Sequence, residues 1–186
     1  MLDKYSIILA DPPWRFEAWS RATGLGRSPD QHYPTMTIED LCALPISKIA
    51  DTNCALFLWC TWPTIFEAPK VFKAWGFRYR TLAWEWVKLN PRAEGLKVGL
   101  GFYTRANVEP CLLAVKGKMP VRTKKERNLV IAPVGLHSQK PDEQYDKISR
   151  LYPEGRRIEL FARRKREGWD CWGNNLEDSI NLEKYL

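Results

Sequence analysis

The hydrophobic residues of this chain fall into short runs of strand length, separated by stretches in which apolar residues recur with helical spacing. Residues 6–10 and 54–60 are nearly continuous apolar runs, which is typical of strands that are buried on both faces. Further strands are predicted at 77–89, 108–115, 129–132 and 157–161.

Three amphipathic stretches lie between these strands and predict helices. Residues 37–44 begin with Thr37 in a capping position and carry acidic residues in the first turn. A second helix is predicted at 63–75, with a kink or an interruption at Pro69 because proline cannot donate a helical hydrogen bond. A third is predicted at about 141–151.

Alternation of strands with helices favours a mainly parallel sheet whose two faces are both covered. We therefore predict the α/β class and a Rossmann-like, three-layer fold with helices on both faces of the sheet. The sequence contains no repeat, linker or low-complexity tract, so residues 1–186 are expected to form a single domain.

Cysteine and histidine content limits the kinds of site that the chain can hold. The five cysteines include no Cys-x-x-Cys pair, and there are only two histidines. A disulfide framework and a structural zinc site are therefore not expected, which favours a reducing compartment. The sequence shows no signal peptide and no apolar run long enough to span a bilayer. We expect a cytoplasmic protein (nuclear in a eukaryote) without a metal or membrane contact.

The first apolar run leads into the tetrapeptide Asp11-Pro12-Pro13-Trp14. Two adjacent prolines fix φ at about −65° and carry no N–H, so the chain leaves the sheet rigidly and its carbonyls lack ladder partners. We predict that the Asp11 carboxylate lies beside a bare carbonyl, that of Pro12, at the carboxyl end of a strand, where open α/β sheets bind ligands. This acceptor pair suits an amino group on a planar ring, and Trp14 offers a face for stacking. The alternative is a strand-ending turn with a buried tryptophan.

The chain is basic, with a formal charge of +7 and a pI of about 9.2, which is consistent with a polyanionic partner. One basic run lies between the fourth and fifth predicted strands, and a second, 163–166, follows the sixth. The basic residues of the first run are Arg122, Lys124, Lys125 and Arg127. If the partner is a nucleic acid, these residues would contact its phosphates and position it without reading its sequence. The alternative is that both runs are solvated surface charges.

Two long polar stretches, 15–35 and 90–107, combine glycine, arginine and aromatic residues. Long loops in a compact domain are usually functional or disordered. This composition suits a lid that closes on an extruded base. Trp14 and Tyr33 are the candidates for stacking against the ring of that base.

Asp11-Pro12-Pro13-Trp14 resembles the catalytic motif of the MT-A70 family of S-adenosylmethionine-dependent N6-adenine methyltransferases. Further blocks follow in that family's order, and together they cover about residues 7–176. These blocks are Leu56-Phe57-Leu58-Trp59, Trp86-Val87-Lys88, Glu109-Pro110-Cys111-Leu112, the segments 137–143 and 157–163, and Trp172-Gly173-Asn174-Asn175.

The resemblance implies S-adenosylmethionine as the cofactor, and a permuted order in which the cofactor segments follow the catalytic motif. The ammonium of the cofactor would lie near Asp11, and its carboxylate would pair with Lys140. Its ribose would meet Arg163, Asn174 and Asn175.

The resemblance also implies the substrate, which is the exocyclic N6 amine of adenine in nucleic acid. Asp11, Pro12, Pro13 and Trp14 would form the catalytic motif, and Glu109 would contact the substrate. DNA is favoured over RNA because compact members of this kind are mostly bacterial or phage proteins. The family further implies that the last hairpin of the sheet is antiparallel.

Two other functions are consistent with parts of the sequence. One is a catalytically inactive, nucleic-acid-binding scaffold subunit of a methyltransferase complex, although the catalytic motif is intact here. The other is methylation of another planar amide, such as a protein glutamine, by enzymes whose motif tends to have Asn first and Tyr last. The sequence is also consistent with a homodimer or with association with a partner subunit.

Overall fold

The computed structural model describes residues 4–15, 35–92, 94–99, 103–135, 139–173, 176–177 and 180–185. Seven strands lie within these described residues: β1 Tyr5–Ala10, β2 Ala50–Trp59, β3 Arg78–Leu89, β4 Val108–Lys116, β5 Leu129–Pro133, β6 Arg157–Leu160 and β7 Asp170–Trp172. The helices are α1 Ile38–Ala43, α2 Ile46–Ile49, α3 Ala68–Ala74 and α4 Glu143–Leu151. Short 3₁₀ helices occupy Trp62–Thr64 and Leu182–Tyr185.

The seven strands form one sheet in the order β5-β3-β4-β2-β1-β6-β7. Strand β4 is antiparallel to both of its neighbours, β2 and β3, and the other neighbouring pairs are parallel. The predicted mainly parallel α/β sheet is therefore confirmed.

The expectation that the antiparallel hairpin comes last is wrong. The antiparallel pair of consecutive strands lies in the middle of the chain, where β4 follows β3 and pairs with it. An antiparallel bridge from Leu89 to Leu96 lies in the connection between them. The last two strands, β6 and β7, are instead parallel neighbours.

The two faces of the sheet are covered by different helices, because successive strand residues point to opposite sides. On one face, Ile8 and Leu56 belong to a core that also contains residues of α1, α2 and α3. On the other face, Leu9 and Phe57 belong to a core with Tyr145 of α4. This arrangement confirms the three-layer prediction.

Local capping signals explain why two of the predicted helices are correct in detail. The Thr37 hydroxyl accepts from the backbone N–H of Asp40 at 3.1 Å, and the Asp40 side chain reaches back to the Thr37 N–H, so the two residues form a capping box at the start of α1. The stretch 63–75 is interrupted as predicted, since a 3₁₀ turn precedes α3 and Pro69 lies in the first turn of that helix. Gly76 follows with a φ of +81°, the left-handed conformation that ends many helices.

The sheet order places the strand ends that carry predicted site residues next to one another. Strand β1 lies between β2 and β6, with Ala10 paired to Leu58 and to Leu160. Asp11 therefore leaves the sheet between the carboxyl ends of two parallel strands. Because β4 runs the opposite way, its early residue Glu109 lies at this same edge, opposite Trp86. No helix within the described residues is long and apolar enough to cross a membrane.

Candidate active site

The turn after β1 is held by two backbone hydrogen bonds, one within the turn and one from Met36. The Trp14 N–H donates to the Pro12 carbonyl at 2.8 Å, and the Met36 N–H donates to the Pro13 carbonyl at 2.9 Å. The expectation of a bare Pro12 carbonyl is therefore wrong, because an i to i+2 turn supplies a partner that a strand ladder would not. A carbonyl oxygen has two lone pairs, so Pro12 retains one acceptor position.

The Trp14 side chain anchors this turn to the neighbouring strand. Its Nε1 donates to the carbonyl of Trp59 at 2.8 Å in a buried hydrogen bond. Only 5% of Trp14 is exposed, so its indole is mostly enclosed by the core. The described contacts thus resemble the alternative of a strand-ending turn with a buried tryptophan, and stacking of Trp14 on a substrate stays a prediction.

A partly buried ladder of alternating charges lies beside the turn. The Nζ of Lys140 lies 2.7 Å from Oδ1 and 2.8 Å from Oδ2 of Asp11. The same ammonium lies 3.0 Å from Oε1 of Glu109. Oε2 of Glu109 in turn lies 2.6 Å from Nζ of Lys88. Two carboxylates and two ammonium groups therefore compensate one another at the carboxyl edge of the sheet.

The electrostatics of this ladder keep Lys140 protonated. Burial works against its ammonium, but the charges of Asp11 and Glu109 outweigh that effect and raise the pKa of Lys140. Burial raises the pKa of Asp11, opposed by Lys140 and reinforced by Glu109. For Glu109, burial is outweighed by Lys140 and Lys88, which lower the pKa of its carboxyl.

A cavity of about 220 Å³ opens beside Asp11 on the α4 side of the sheet. Its lining contains acidic, basic and aromatic side chains, including Asp11, Glu159, Lys140, Arg163 and Phe161. Three residues that the sequence predicts for cofactor binding, Asp11, Lys140 and Arg163, thus share one cavity. Within the described residues there is no group of three or more His, Cys, Asp and Glu side chains that could hold a metal ion.

Glu159 and Phe161 are among the cavity residues that the sequence does not predict for the site, although strand alternation could have indicated Glu159. Glu159 lies between the buried residues of β6 and pairs with Leu9, so it faces the same side as the Asp11 cavity. Burial raises the pKa of Glu159 to about 7, against the effect of a 2.9 Å hydrogen bond from the Tyr145 hydroxyl. Phe161 follows with a φ of 61°, a left-handed conformation that is strained for a side chain of this size and is often found at ligand sites.

Comparison with known proteins agrees with this arrangement. The sequence pattern of the MT-A70 family matches residues 5–175, which include the Asp-Pro-Pro-Trp turn, the charge ladder and the cavity. The chain belongs to the MT-A70 family.

The chain covers a different share of each of its relatives. The Type II methyltransferase M.MunI of a Mycoplasma species is 34% identical over 194 residues, which is 95% of this chain and 79% of that protein. The human N(6)-adenosine-methyltransferase catalytic subunit METTL3 is 31% identical over 98% of this chain but only 30% of its own length. An Arabidopsis thaliana N(6)-adenosine-methyltransferase MT-A70-like protein is 28% identical over 95% of this chain and 24% of its own length.

Three residues of this chain that are predicted for ligand binding lie outside the described residues, namely Tyr33, Asn174 and Asn175. The chain leading to the asparagines is nonetheless constrained at Gly173. A Cβ at that position would lie 2.1 Å from the carbonyl oxygen of Ala162, so only glycine allows the end of β7 to pass this close to the end of β6. The roles of the three residues stay predictions.

The first basic run does not come to the cavity. Arg122, Lys124, Lys125 and Arg127 are exposed in the connection between β4 and β5, as predicted. The Arg122 N–H donates to the carbonyl of Leu151, the last residue of α4, whereas Lys140 precedes that helix. The nine residues of α4 span roughly 13 Å at 1.5 Å per residue. Phosphate contact by this run stays a prediction.

The second basic run is largely paired within the protein. Arg164 and Arg166 both form ion pairs with Asp142, beside the start of α4. Lys165 pairs with Glu177 at 2.9 Å. The two pairs with Asp142 tie the loop after β6 to the start of α4, so part of the run has a structural role.

Proposed function

We propose that this protein is an S-adenosylmethionine-dependent methyltransferase that modifies the exocyclic N6 amine of adenine in nucleic acid, with DNA favoured over RNA. The observation that supports the proposal most strongly is the Asp11 carboxylate, held by Lys140 at the carboxyl edge of β1 and opening into a charged cavity. Membership of the MT-A70 family supports the same reaction class.

The side chains of the cavity fit an amino-acid cofactor with a ribose. Asp11 is an anionic partner for the cofactor's ammonium, and Lys140 and Arg163 are cationic or donor partners for its carboxylate and ribose. The three N–H donors of Lys140 all meet Asp11 and Glu109 in this structure, so the cofactor's carboxylate would share or replace one of these hydrogen bonds. Asn174 and Asn175, which follow Gly173, would reach the ribose hydroxyls. When bound, S-adenosylmethionine supplies an electrophilic methyl group.

Asp11 and Pro12 would activate the adenine amine, whose lone pair is otherwise delocalised into the ring. The Asp11 carboxylate offers about four lone-pair positions, of which Lys140 occupies two, so it can still accept an amine N–H. The remaining lone pair of the Pro12 carbonyl would accept the second N–H. Together these acceptors favour a pyramidal nitrogen and stabilise the positive charge that develops on it.

Burial of Asp11 also suits it to receive the proton that the methylated amine must lose. The raised pKa of this carboxyl makes it a stronger base than an exposed aspartate. The two hydrogen bonds from Lys140 fix the direction of the carboxylate, and the anchor from Trp14 to Trp59 fixes the turn that carries it. Most of the rate gain would come from positioning and electrostatics, with roughly 7–11 kcal/mol available in principle from orientation.

DNA is favoured because the bacterial Type II methyltransferase M.MunI is 34% identical to this chain, against 28% and 31% for the Arabidopsis and human N(6)-adenosine-methyltransferases. The proposal is tested by incubating the purified protein with S-adenosylmethionine and either DNA or RNA, digesting each polymer to nucleosides and quantifying N6-methyladenine. We expect N6-methyladenine in DNA above RNA. Absence of the modified nucleoside from both polymers would refute the proposed reaction, and a higher yield in RNA would refute the choice of polymer.

A further inference from the structure

Trp59, the last residue of β2, contacts three separate parts of the active site. Its carbonyl accepts the indole N–H of Trp14 at 2.8 Å. The Nζ of Lys140 lies 5.4 Å from the centre of its ring, within the range of a cation–π contact. Its own Nε1 donates to Oε1 of Gln144 at 2.7 Å. Trp59 thus joins the catalytic turn, the ammonium that binds Asp11, and the first turn of α4.

The orientation of this indole is fixed on all sides. Only 1% of Trp59 and 2% of Gln144 is exposed. Trp84 and Trp86 pack edge-on against the ring, each with centroids 6.4 Å away. A buried N–H without an acceptor is costly, so the Gln144 oxygen selects the one orientation in which Nε1 is satisfied.

Gln144 also lies only four residues after Lys140 in the chain. Its bond to Trp59 therefore fixes the start of α4 relative to β2, and with it the backbone that carries Lys140. The ring that Gln144 orients is the same ring over which the Lys140 ammonium lies. One hydrogen bond thus controls both the backbone and the side-chain environment of Lys140.

We propose that Gln144 is a positioning residue that acts through Trp59 to hold the Lys140 ammonium between Asp11 and Glu109. The inference deepens the proposed function, because that ammonium is the proposed partner of the cofactor's carboxylate. Without the bond to Gln144, the Trp59 Nε1 loses its acceptor and the start of α4 loses a link to β2, so Lys140 leaves the geometry in which it meets Asp11 at 2.7 Å.

The proposal is tested with variants that remove or keep the acceptor. Gln144→Met keeps the shape of the side chain without the acceptor, Trp59→Phe removes the donor, and Gln144→Glu keeps an acceptor oxygen. A matched control is Trp75→Phe, which removes a buried indole donor to the Leu41 carbonyl on the opposite face of the sheet.

Calorimetry should show S-adenosylmethionine binding about tenfold more weakly to Gln144→Met and Trp59→Phe, as expected for one hydrogen bond. Gln144→Glu should bind nearly as well as the wild type, and Trp75→Phe should lose stability but no affinity. Urea unfolding shows whether each variant is folded, so that a loss of folded protein is not mistaken for weaker binding. Unchanged affinity in both Gln144→Met and Trp59→Phe, or equal loss in Trp75→Phe, would overturn the proposal.

A double-mutant cycle shows whether Gln144 acts through Lys140. In a Lys140→Ala background, Gln144→Met should cause no further loss of S-adenosylmethionine affinity. A full, independent loss in that background would mean that Gln144 contacts the cofactor directly, and the positioning role would be wrong.

The cycle also separates this inference from the proposed function. If the wild type binds no S-adenosylmethionine, the proposed function is wrong, and the coupling is then measured by urea unfolding. The positioning role predicts that Gln144→Met and Lys140→Ala are coupled by about tenfold in the unfolding equilibrium constant. Simple additivity of the two substitutions would overturn it.

Discussion

Lys140 donates to both carboxylate oxygens of Asp11, at 2.7 and 2.8 Å, although 129 positions separate the two residues in the sequence. Asp11 follows β1 and Lys140 precedes α4, and the sheet order brings the two together. The Asp-Pro-Pro-Trp turn and the candidate cofactor cavity are therefore a single electrostatic unit. A substitution in the turn should therefore change ligand binding in the cavity, and a substitution in the cavity should change the properties of Asp11.

Removing Lys140 should affect both cofactor binding and the pH dependence of the reaction. Lys140→Ala leaves the Asp11 and Glu109 carboxyls without their shared cation, so the pKa of Asp11 should rise further. The acidic limb of the kcat/KM profile should then move to higher pH. Lys140→Ala and Asn174→Ala should both weaken S-adenosylmethionine binding in calorimetry.

The exposed Lys73 on α3 provides the control for this prediction, since Lys73→Ala should leave affinity and pH profile unchanged. If Lys140→Ala and Asn174→Ala both bind S-adenosylmethionine as tightly as the wild type, the placement of the cofactor is wrong.

Trp14 should matter more for turnover than for cofactor binding. Trp14→Ala and Trp14→Phe both remove the hydrogen bond to the Trp59 carbonyl, which should cost about 1 kcal/mol of unfolding free energy for the bond alone. Turnover on the polymer should fall because the turn that carries Asp11 loses its anchor. Steady-state kinetics and calorimetry are the measurements, and a large loss of S-adenosylmethionine affinity with unchanged kcat would contradict this assignment.

Glu159 should make the stability of the protein depend on pH. Its pKa in the folded protein is about 7, above the ordinary value of 4.5, because of burial. The fold therefore favours the protonated carboxyl, and the corresponding stability is present below pH 4.5 and is lost as the pH rises to about 7.

Glu159→Gln cannot ionise and should remove this loss. The variant should gain roughly 1–3 kcal/mol over the wild type at pH 8 relative to their difference at pH 4. Urea unfolding at the two pH values measures this, with the exposed Glu154→Gln as the control. Equal pH dependence in Glu159→Gln and the wild type would show that Glu159 titrates normally.

The first basic run should contribute to binding the polymer if it contacts phosphates. Neutralising its four residues, Arg122, Lys124, Lys125 and Arg127, should then raise the polymer KM with little change in cofactor affinity. The log–log salt slope should decrease by about 0.9 for each phosphate of duplex DNA that the protein no longer neutralises, or by about 0.7 on single strands.

A comparison set of exposed cations tests whether any such effect is specific to the run. It consists of Lys73, Arg78, Arg80 and Lys118. An unchanged salt slope after neutralising the basic run, or an equal change in the comparison set, would mean that the run is only a solvated surface loop.

Elements with strong local signals could be predicted from the sequence, and elements defined by pairing could not. The capping box of α1 and the apolar run of β1 are local, and both were correct. Strand β7 has three residues and exists because it pairs with β6, and α2 has four residues, too few for a periodicity. The predictions missed both.

The site shows the same division. Asp11, Lys140 and Arg163 could be named from motifs, and they share the cavity. The sequence could not show that Lys140 would bond to Asp11 or that Gln144 would bond to Trp59, since both interactions depend on the sheet order. It also could not decide whether the Trp14 indole faces a ligand or the core.

The most direct test of the account is the rate of N6-methyladenine formation by Asp11→Ala and the isosteric Asp11→Asn at saturating S-adenosylmethionine. Asp11→Ala removes one acceptor for the amine, and Asp11→Asn removes the negative charge that stabilises the positive charge on the nitrogen in the transition state. Turnover should therefore fall by about two orders of magnitude or more. Asp146→Asn, an exposed position on α4, should retain wild-type turnover. If either Asp11 variant keeps more than about a tenth of wild-type turnover, a loss far below that expected for a transition-state hydrogen bond, the mechanism is wrong.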